Sequence, residues 1–261
     1  MILLDGKDIS IVRSLLTEET NHYPLIKSIL EGKLESNVYV DNIESINSAF
    51  VMGENGWCYL LGSSHDNRFN ESVIESIKNH IIETKNPVLW FGIPQSQRNA
   101  LESVERLAVN DYPRYRFRFD RNQFKQLSKL NLNYEIEELS AFNIKEFIQG
   151  CSYFETFWND ELSFLKNGLG FIAKNNEEII GHAISASVND DEVEIDLSTN
   201  EKFRGQGIST RLVFELVDAC ITSGLQPKWD CSISNGASLK LAENNGFEII
   251  EKYQFSYIEY L

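Results

Sequence analysis

Arg204-Gly205-Gln206-Gly207-Ile208-Ser209 combines two glycines and a cation at the start of an apolar-striped segment, the chemistry of an anion cradle. Glycines let the backbone approach a phosphate closely, and the free N–H groups and positive dipole end of a following helix stabilise its charge. Just upstream, Val193-Glu194-Ile195-Asp196-Leu197 alternates with period two. On a strand, side chains two apart share a face, so Glu194 and Asp196 are expected together in one cleft, where they could hold a cationic amine or accept its proton. The structural alternative for the pair is a solvated strand face or an ion-pair network. No Lys-Ser or Lys-Thr follows the loop, which excludes a Walker A site, and the third glycine of a dinucleotide fingerprint is missing.

A second segment, Asn235-Gly236-Ala237-Ser238-Leu239-Lys240-Leu241-Ala242-Glu243-Asn244-Asn245-Gly246-Phe247, follows Trp229-Asp230-Cys231-Ser232-Ile233. Taken together, the two segments resemble the GNAT N-acetyltransferase family. Its acyl-CoA loop reads Arg/Gln-x-x-Gly-x-Gly/Ala, met by Arg204, Gly207 and Ser209. Its later helix reads Asn-x-x-Ala followed by Gly-Phe, met by Asn235, Ser238, Gly246 and Phe247. Trp229-Asp230-Cys231 with Asn235, Ser238 and Leu241-Ala242 is similar to the branch of the family that includes zwittermicin A resistance acetyltransferases.

The resemblance implies acetyl-CoA as acyl donor, no metal, and direct attack of an amine on the thioester. Gly205, Gln206, Gly207, Ile208 and Ser209 would surround the pyrophosphate with their backbone, with Arg204 as a charged supplement. Leu197, Ser198 and Thr199 would run beside the pantetheine arm, and a bulge at the strand end would free the Thr199 N–H for the thioester oxygen. Asp230 is the first choice of base, since it precedes Asn235 by the interval seen for a strand carboxylate in ribosomal-protein acetyltransferases of the family. Partial burial beside Trp229 would have to raise its pKa for that task. Glu194 and Asp196 are the other candidates. Asn235 either contacts the cofactor or caps the helix that follows. Ala242 stands where many members carry a tyrosine that protonates the leaving thiolate, so the alternative reading is a non-catalytic acyl-CoA-binding regulatory protein.

The elements that must position these residues are legible from periodicity. Gly170–Ala173 and Ile179–Ala186 flank a polar turn and read as a hairpin. Ile208, Leu212, Val213, Leu216, Cys220 and Ile221 recur at helical spacing until Gly224. Strands are expected to end near Ile233 and to occupy 247–250 and 255–258, with a short helix from Ala237. Upstream, 48–52 and 57–61 flank an Asn55-Gly56 turn. A helix over 72–83, a strand over 87–92, a helix over 98–108 and a strand over 115–119 follow. Helical stripes at Ile9, Val12, Leu15 and Leu16, then at Leu25, Ile26, Ile29 and Leu30, are broken at Asn21–Pro24. The fold class expected is α+β, a mixed α/β sandwich of GNAT type, in tandem. Residues 1–125 would form a copy without a cofactor loop, since Gly62–Phe69 lacks the pattern, and 133–261 the catalytic copy. His182 reads as a structural histidine, and Phe154, Phe157 and Trp158 as core or as an acceptor-pocket wall.

The chain has 261 residues, 42% of them hydrophobic, and a net charge of −15. That charge opposes nucleic-acid binding and would attract a cationic small molecule. The acceptor expected is a small amine, an amino-polyol or aminoglycoside-like antibiotic or an amine metabolite. No apolar run approaches the ~20 residues that span a bilayer, so a cytoplasmic protein without membrane partners is expected. A homodimer is left open. Cys58, Cys151, Cys220 and Cys231 lack metal or disulfide spacing and are expected to be reduced and mostly buried.

Overall fold

Alternating or continuous apolar runs punctuated by glycine and asparagine build the strands, and amphipathic stripes build the helices laid on them. The computed structural model describes residues 1–17, 24–53, 56–62 and 66–261. Asn55 of the expected turn, Ser63–His65 of the upstream loop and the 21–23 part of the helix break lie outside the described residues.

The chain divides into two units, Met1–Arg114 with Lys252–Leu261, and Tyr115–Glu251. In chain order the first unit starts with β1 (Ile2–Leu3), a 3-10 segment (Gly6–Leu15), α1 (Pro24–Leu30), β2 (Asn37–Val40), β3 (Ser48–Met52) and β4 (Trp57–Gly62). It continues with α2 (Asn67–Thr84), β5 (Val88–Phe91), α3 (Gln95–Glu102) and the start of β6 (Leu107–Phe119). After α4 (Arg121–Phe124) come β7 (Glu135–Glu138), α5 (Ile144–Gly150), a 3-10 turn (Phe154–Thr156), α6 (Glu161–Asn167), β8 (Gly170–Asn175), β9 (Glu178–Val188) and β10 (Glu192–Thr199). The last elements are α7 (Ile208–Thr222), β11 (Gln226–Ser232), α8 (Gly236–Asn244) and β12 (Phe247–Tyr260).

The two units repeat one order: strand, helical segments (two in the first unit, three in the second), three antiparallel strands, helix, parallel strand, helix, strand. In the first, β1 to β4 pair antiparallel in succession and β4 pairs parallel with β5. In the second, β7 to β10 do the same and β10 pairs parallel with β11. Beside β5 lies the end of β12, with Phe255 opposite Phe91 and Ile258 opposite Val88, while the end of β6 takes the place beside β11. This explains the division at Arg114, upstream of the connector expected between 125 and 133. Ile258 is fully buried among Phe50, Trp90, Val73, Ile77 and Ile81, so the terminal decapeptide closes the first unit's core. The two short strands expected at 247–250 and 255–258 are one strand. The helix expected over 98–108 stops at Glu102, and Leu107 opens a strand instead.

In the second unit, α7 buries Ile208, Leu212, Val213, Leu216 and Cys220 of the expected stripe, with Val217 added and Ile221 only partly buried. The segment leading into α6 is fixed to the sheet by Trp158, which is buried and whose indole N–H donates to the Ser185 carbonyl at 2.8 Å. All four cysteines are buried and none is in a disulfide. Among the described residues, no helix is long and apolar enough to cross a membrane.

Candidate functional site

The site begins where β10 and β11 part. They pair only at Glu192, Val193 and Glu194, opposite Gln226, Pro227 and Lys228. From Ile195 to Thr199, β10 keeps its partner β9 but has none on the β11 side, so a fork opens in the sheet. The Asn200 N–H donates to the Ile180 carbonyl at 2.9 Å, and Ser198 and Asp196 lie opposite His182 and Ile184. N–H directions alternate along a strand, which leaves those of Leu197 and Thr199 aimed into the fork. The bulge expected at Thr199 lies instead between Glu194 and Ile195.

The extra residue of that bulge is Ala186 of β9. Glu194, Ile195 and Asp196 stand opposite Ser187, Ser185 and Ile184. No residue is inserted in β10, so its alternation continues and Glu194 and Asp196 share one face. Ser187 donates to Glu194 at 3.4 Å. Lys228 pairs in register with Glu194 and forms an ion pair with Glu192 at 3.0 Å. Asp230, two residues on, shares the Lys228 face, while Trp229 and Cys231 point the other way and are buried. Asp230 therefore does not lie beside the Trp229 ring.

Where the fork opens, the connection to α7 makes a cradle. Gly205 and Gly207 have φ of 78° and 80°, the left-handed region that favours glycine. Gly207 is the N-cap of α7 and offers no side-chain hydrogen bond to the first turn, so the N-terminal amides are left to a ligand. Ser209 is hydrogen-bonded to Thr199 at 2.7 Å, tying that turn to the strand end. Across from the cradle, Asn235 accepts from the Ser238 N–H at 3.0 Å as the cap of α8, and the Ser238 hydroxyl accepts from the Trp229 indole at 3.2 Å. Asn235→Ala is expected to cost about 1 kcal/mol of stability, as helix caps do, in a urea melt; an unchanged midpoint would contradict the capping role.

A cavity of about 740 Å³ joins these parts. Its walls bring together Leu197, Ser198, Thr199, Arg204, Gly205, Gly207, Ile208, Ser209, Asn235 and Ser238 from the sequence analysis, and add Phe203, Lys240, Leu241 and Asn244. Gln206 is not among them; it accepts from the Tyr134 hydroxyl. Arg204 lies at the rim, bonded to Glu201 at 3.1 Å and to the Thr199 carbonyl at 3.4 Å. Ala242 is fully buried and outside the cavity wall.

On the face that carries Asp196 sits a cluster that sequence spacing does not reveal. The Tyr153 hydroxyl donates to Asp196 Oδ2 at 3.1 Å and contacts His182 Nε2 at 2.7 Å; Nε2 lies 3.8 Å from the same carboxylate oxygen. The phenol has one proton and gives it to the carboxylate, so the imidazole supplies the Nε2–H. Ser198, in the cavity wall, is a further hydrogen-bond partner of the phenol. Burial, and then the charge of Asp196, pushes the Tyr153 phenol far above its ordinary range, so it stays protonated. Phe157 packs edge-on against Tyr153, and Phe147 against His182. Phe154 and Trp158 are buried core. Tyr153 lies beyond the end of α5, where no periodicity ties it to the strands. His182 faces Ser198 through strand pairing, a relation the sequence shows only once the register is known.

The first unit contrasts at the matching place. Helix α2 begins at Asn67, and the Asp66 carboxylate accepts from the N–H groups of Arg68 and Phe69. A side-chain carboxylate there occupies the amides that α7 leaves open.

A family model described as GNAT acetyltransferase matches residues 13–256. An uncharacterized N-acetyltransferase of Bacillus subtilis (strain 168), YdfB, is 23% identical over 240 residues, 89% of each chain. Among solved structures, a GCN5-related N-acetyltransferase-like protein from Streptococcus suis matches with TM-score 0.74 and 24% identity, covering 98% of this chain and 100% of that one. A tandem GNAT protein from the clavulanic acid biosynthesis pathway matches with TM-score 0.62 and 9% identity, covering 99% and 97%. The likeness to both is one of fold.

Proposed function

The chain belongs to the GNAT acetyltransferase family, and from that premise we propose that it transfers an acetyl group from acetyl-CoA to a primary amine of a small cationic acceptor. The observation that carries this reading is the cavity that runs from the uncapped end of α7 to the open edge of β10. The amides of the Gly205–Ser209 turn suit a pyrophosphate, and the free N–H groups of Thr199 and Leu197 suit the amides and carbonyls of a pantetheine arm. The thioester lies farthest from the phosphates, which assigns its oxygen to the deeper Leu197 N–H. An N–H fixed at that place stabilises the negative charge that develops as the amine attacks.

Asp196 is the carboxylate best placed to take the amine's proton. It borders Leu197, its side chain is partly open to solvent, and it lies on the same face as Ser198 of the cavity wall. A carboxylate whose neighbours are a phenol and an imidazole also suits an ammonium group, in keeping with the chain's acidity. An amino-polyol or aminoglycoside-like acceptor fits this chemistry, as does an amine metabolite.

Lys240 lines the cavity opposite the cradle and is exposed. Lys240→Ala is expected to weaken acetyl-CoA about three- to tenfold, the worth of one exposed charge-assisted contact, in a calorimetric titration. An unchanged affinity would remove it from the phosphate site. The reading as a whole is tested by thiol release from acetyl-CoA across an amine panel that includes neamine, glucosamine, spermidine and benzylamine. Turnover with at least one amine supports it; binding of acetyl-CoA without turnover on any amine would favour the non-catalytic alternative.

A further inference from the structure

Resting on the acetyltransferase reading, we propose that Tyr153 and His182 are positioning residues for Asp196, which serves as base toward the amine and then as acid toward the departing thiolate. The geometry divides the two oxygens of this carboxylate. Both neighbours engage Oδ2: the Tyr153 hydroxyl at 3.1 Å, and His182 Nε2 at 3.8 Å and through the same phenol. Oδ1 has neither neighbour, and the Asp196 side chain is 27% exposed. One oxygen is thus tethered and the other is presented to an acceptor, which fixes the direction from which a proton arrives.

The tether is itself rigid. His182 is buried under Phe147 and paired across the strands with Ser198, and Tyr153 is braced by Phe157. Cys151 is the other titratable side chain close to the phenol and to Asp196, and burial pushes its thiol up, which keeps it neutral. Tyr153 likewise stays a phenol, so it orients Asp196 by donating a hydrogen bond and takes no proton from substrate.

The step balances as follows. The acceptor ammonium gives one proton to Asp196 Oδ1, and its nitrogen lone pair forms the C–N bond to the thioester carbonyl carbon. The C–S bond then breaks with its electron pair on sulfur, and Asp196 Oδ1–H returns the proton to that thiolate. The remaining extra proton on nitrogen leaves to solvent, giving the amide and the free thiol. One carboxylate therefore covers the task for which Ala242, buried and without a hydroxyl, has no group.

The test is a double-mutant cycle read on acetyl-CoA consumption with whichever panel amine the wild type acetylates. Tyr153→Phe is expected to lower kcat about ten- to hundredfold, the worth of a hydrogen bond to a charged group, and His182→Gln, whose bond is to the neutral phenol, about three- to tenfold, each with the acetyl-CoA dissociation constant unchanged. Combined with Asp196→Asn, neither should slow the enzyme further, because each acts only through that carboxylate. Wild-type kcat in Tyr153→Phe, or losses that multiply with Asp196→Asn, would overturn the positioning role. Loss of acetyl-CoA binding in both variants would do so too, by showing a structural role. Absence of any turnover by the wild type would instead bring down the acetyltransferase reading beneath it.

Discussion

Gly207→Val is expected to weaken acetyl-CoA binding more than about 100-fold while leaving a cooperatively folded protein. The position has a φ of 80°, where a β-branched residue is strained, and an added Cβ would lie 3.4 Å from Leu130 and 3.6 Å from Leu132. Those contacts are ordinary, so the cost comes from the backbone. Relief of about 1–3 kcal/mol of strain by a shift of the turn would rotate the first amides of α7 away from the phosphates. The helix itself is held by Leu212, Val213 and Leu216 in the core, which is why stability should fall far less than affinity. Calorimetry with acetyl-CoA beside a thermal melt separates the two effects. Retained affinity in a folded variant would place the cofactor elsewhere.

Asp196→Asn is expected to lower kcat by about 10²–10⁴, the range of general acid–base catalysis, without changing acetyl-CoA affinity. Asp230→Asn should stay within a few-fold of the wild type. The difference rests on the register. Asp196 is bonded to Tyr153 and stands near His182 and the open N–H of Leu197, whereas Asp230 lies two residues past the last pair of β11 with β10. Steady-state rates for both variants at saturating acetyl-CoA decide between them. A large loss in Asp230→Asn with a small one in Asp196→Asn would return the base to β11.

The cavity was legible in the sequence because its determinants are local. A glycine turn, a helix stripe and an asparagine cap act within a few residues, and Gly205, Gly207, Ile208, Ser209, Asn235 and Ser238 all meet in one cavity. Gln206 was drawn in by adjacency, but its side chain turns to Tyr134. Period-two alternation puts Glu194 and Asp196 on one face, and β10 keeps it, because the bulge beside them has its extra residue in β9. Tyr153 and His182 depend on how a loop after α5 meets a strand pair, a long-range relation that leaves no mark on spacing. The repeated order of elements was visible in the hairpins, while the return of Lys252–Leu261 to the first unit was not. A strand reads the same whichever sheet it joins.

Helix α2 closes its own N-terminus with Asp66 and α7 leaves its N-terminus open behind Gly207, so a chain with two similar units should hold one cofactor. Titration of the wild-type protein with acetyl-CoA in a calorimeter tests this most directly. One molecule bound per chain, lost in Gly207→Val, is the result expected. No binding, or two molecules per chain, would contradict it.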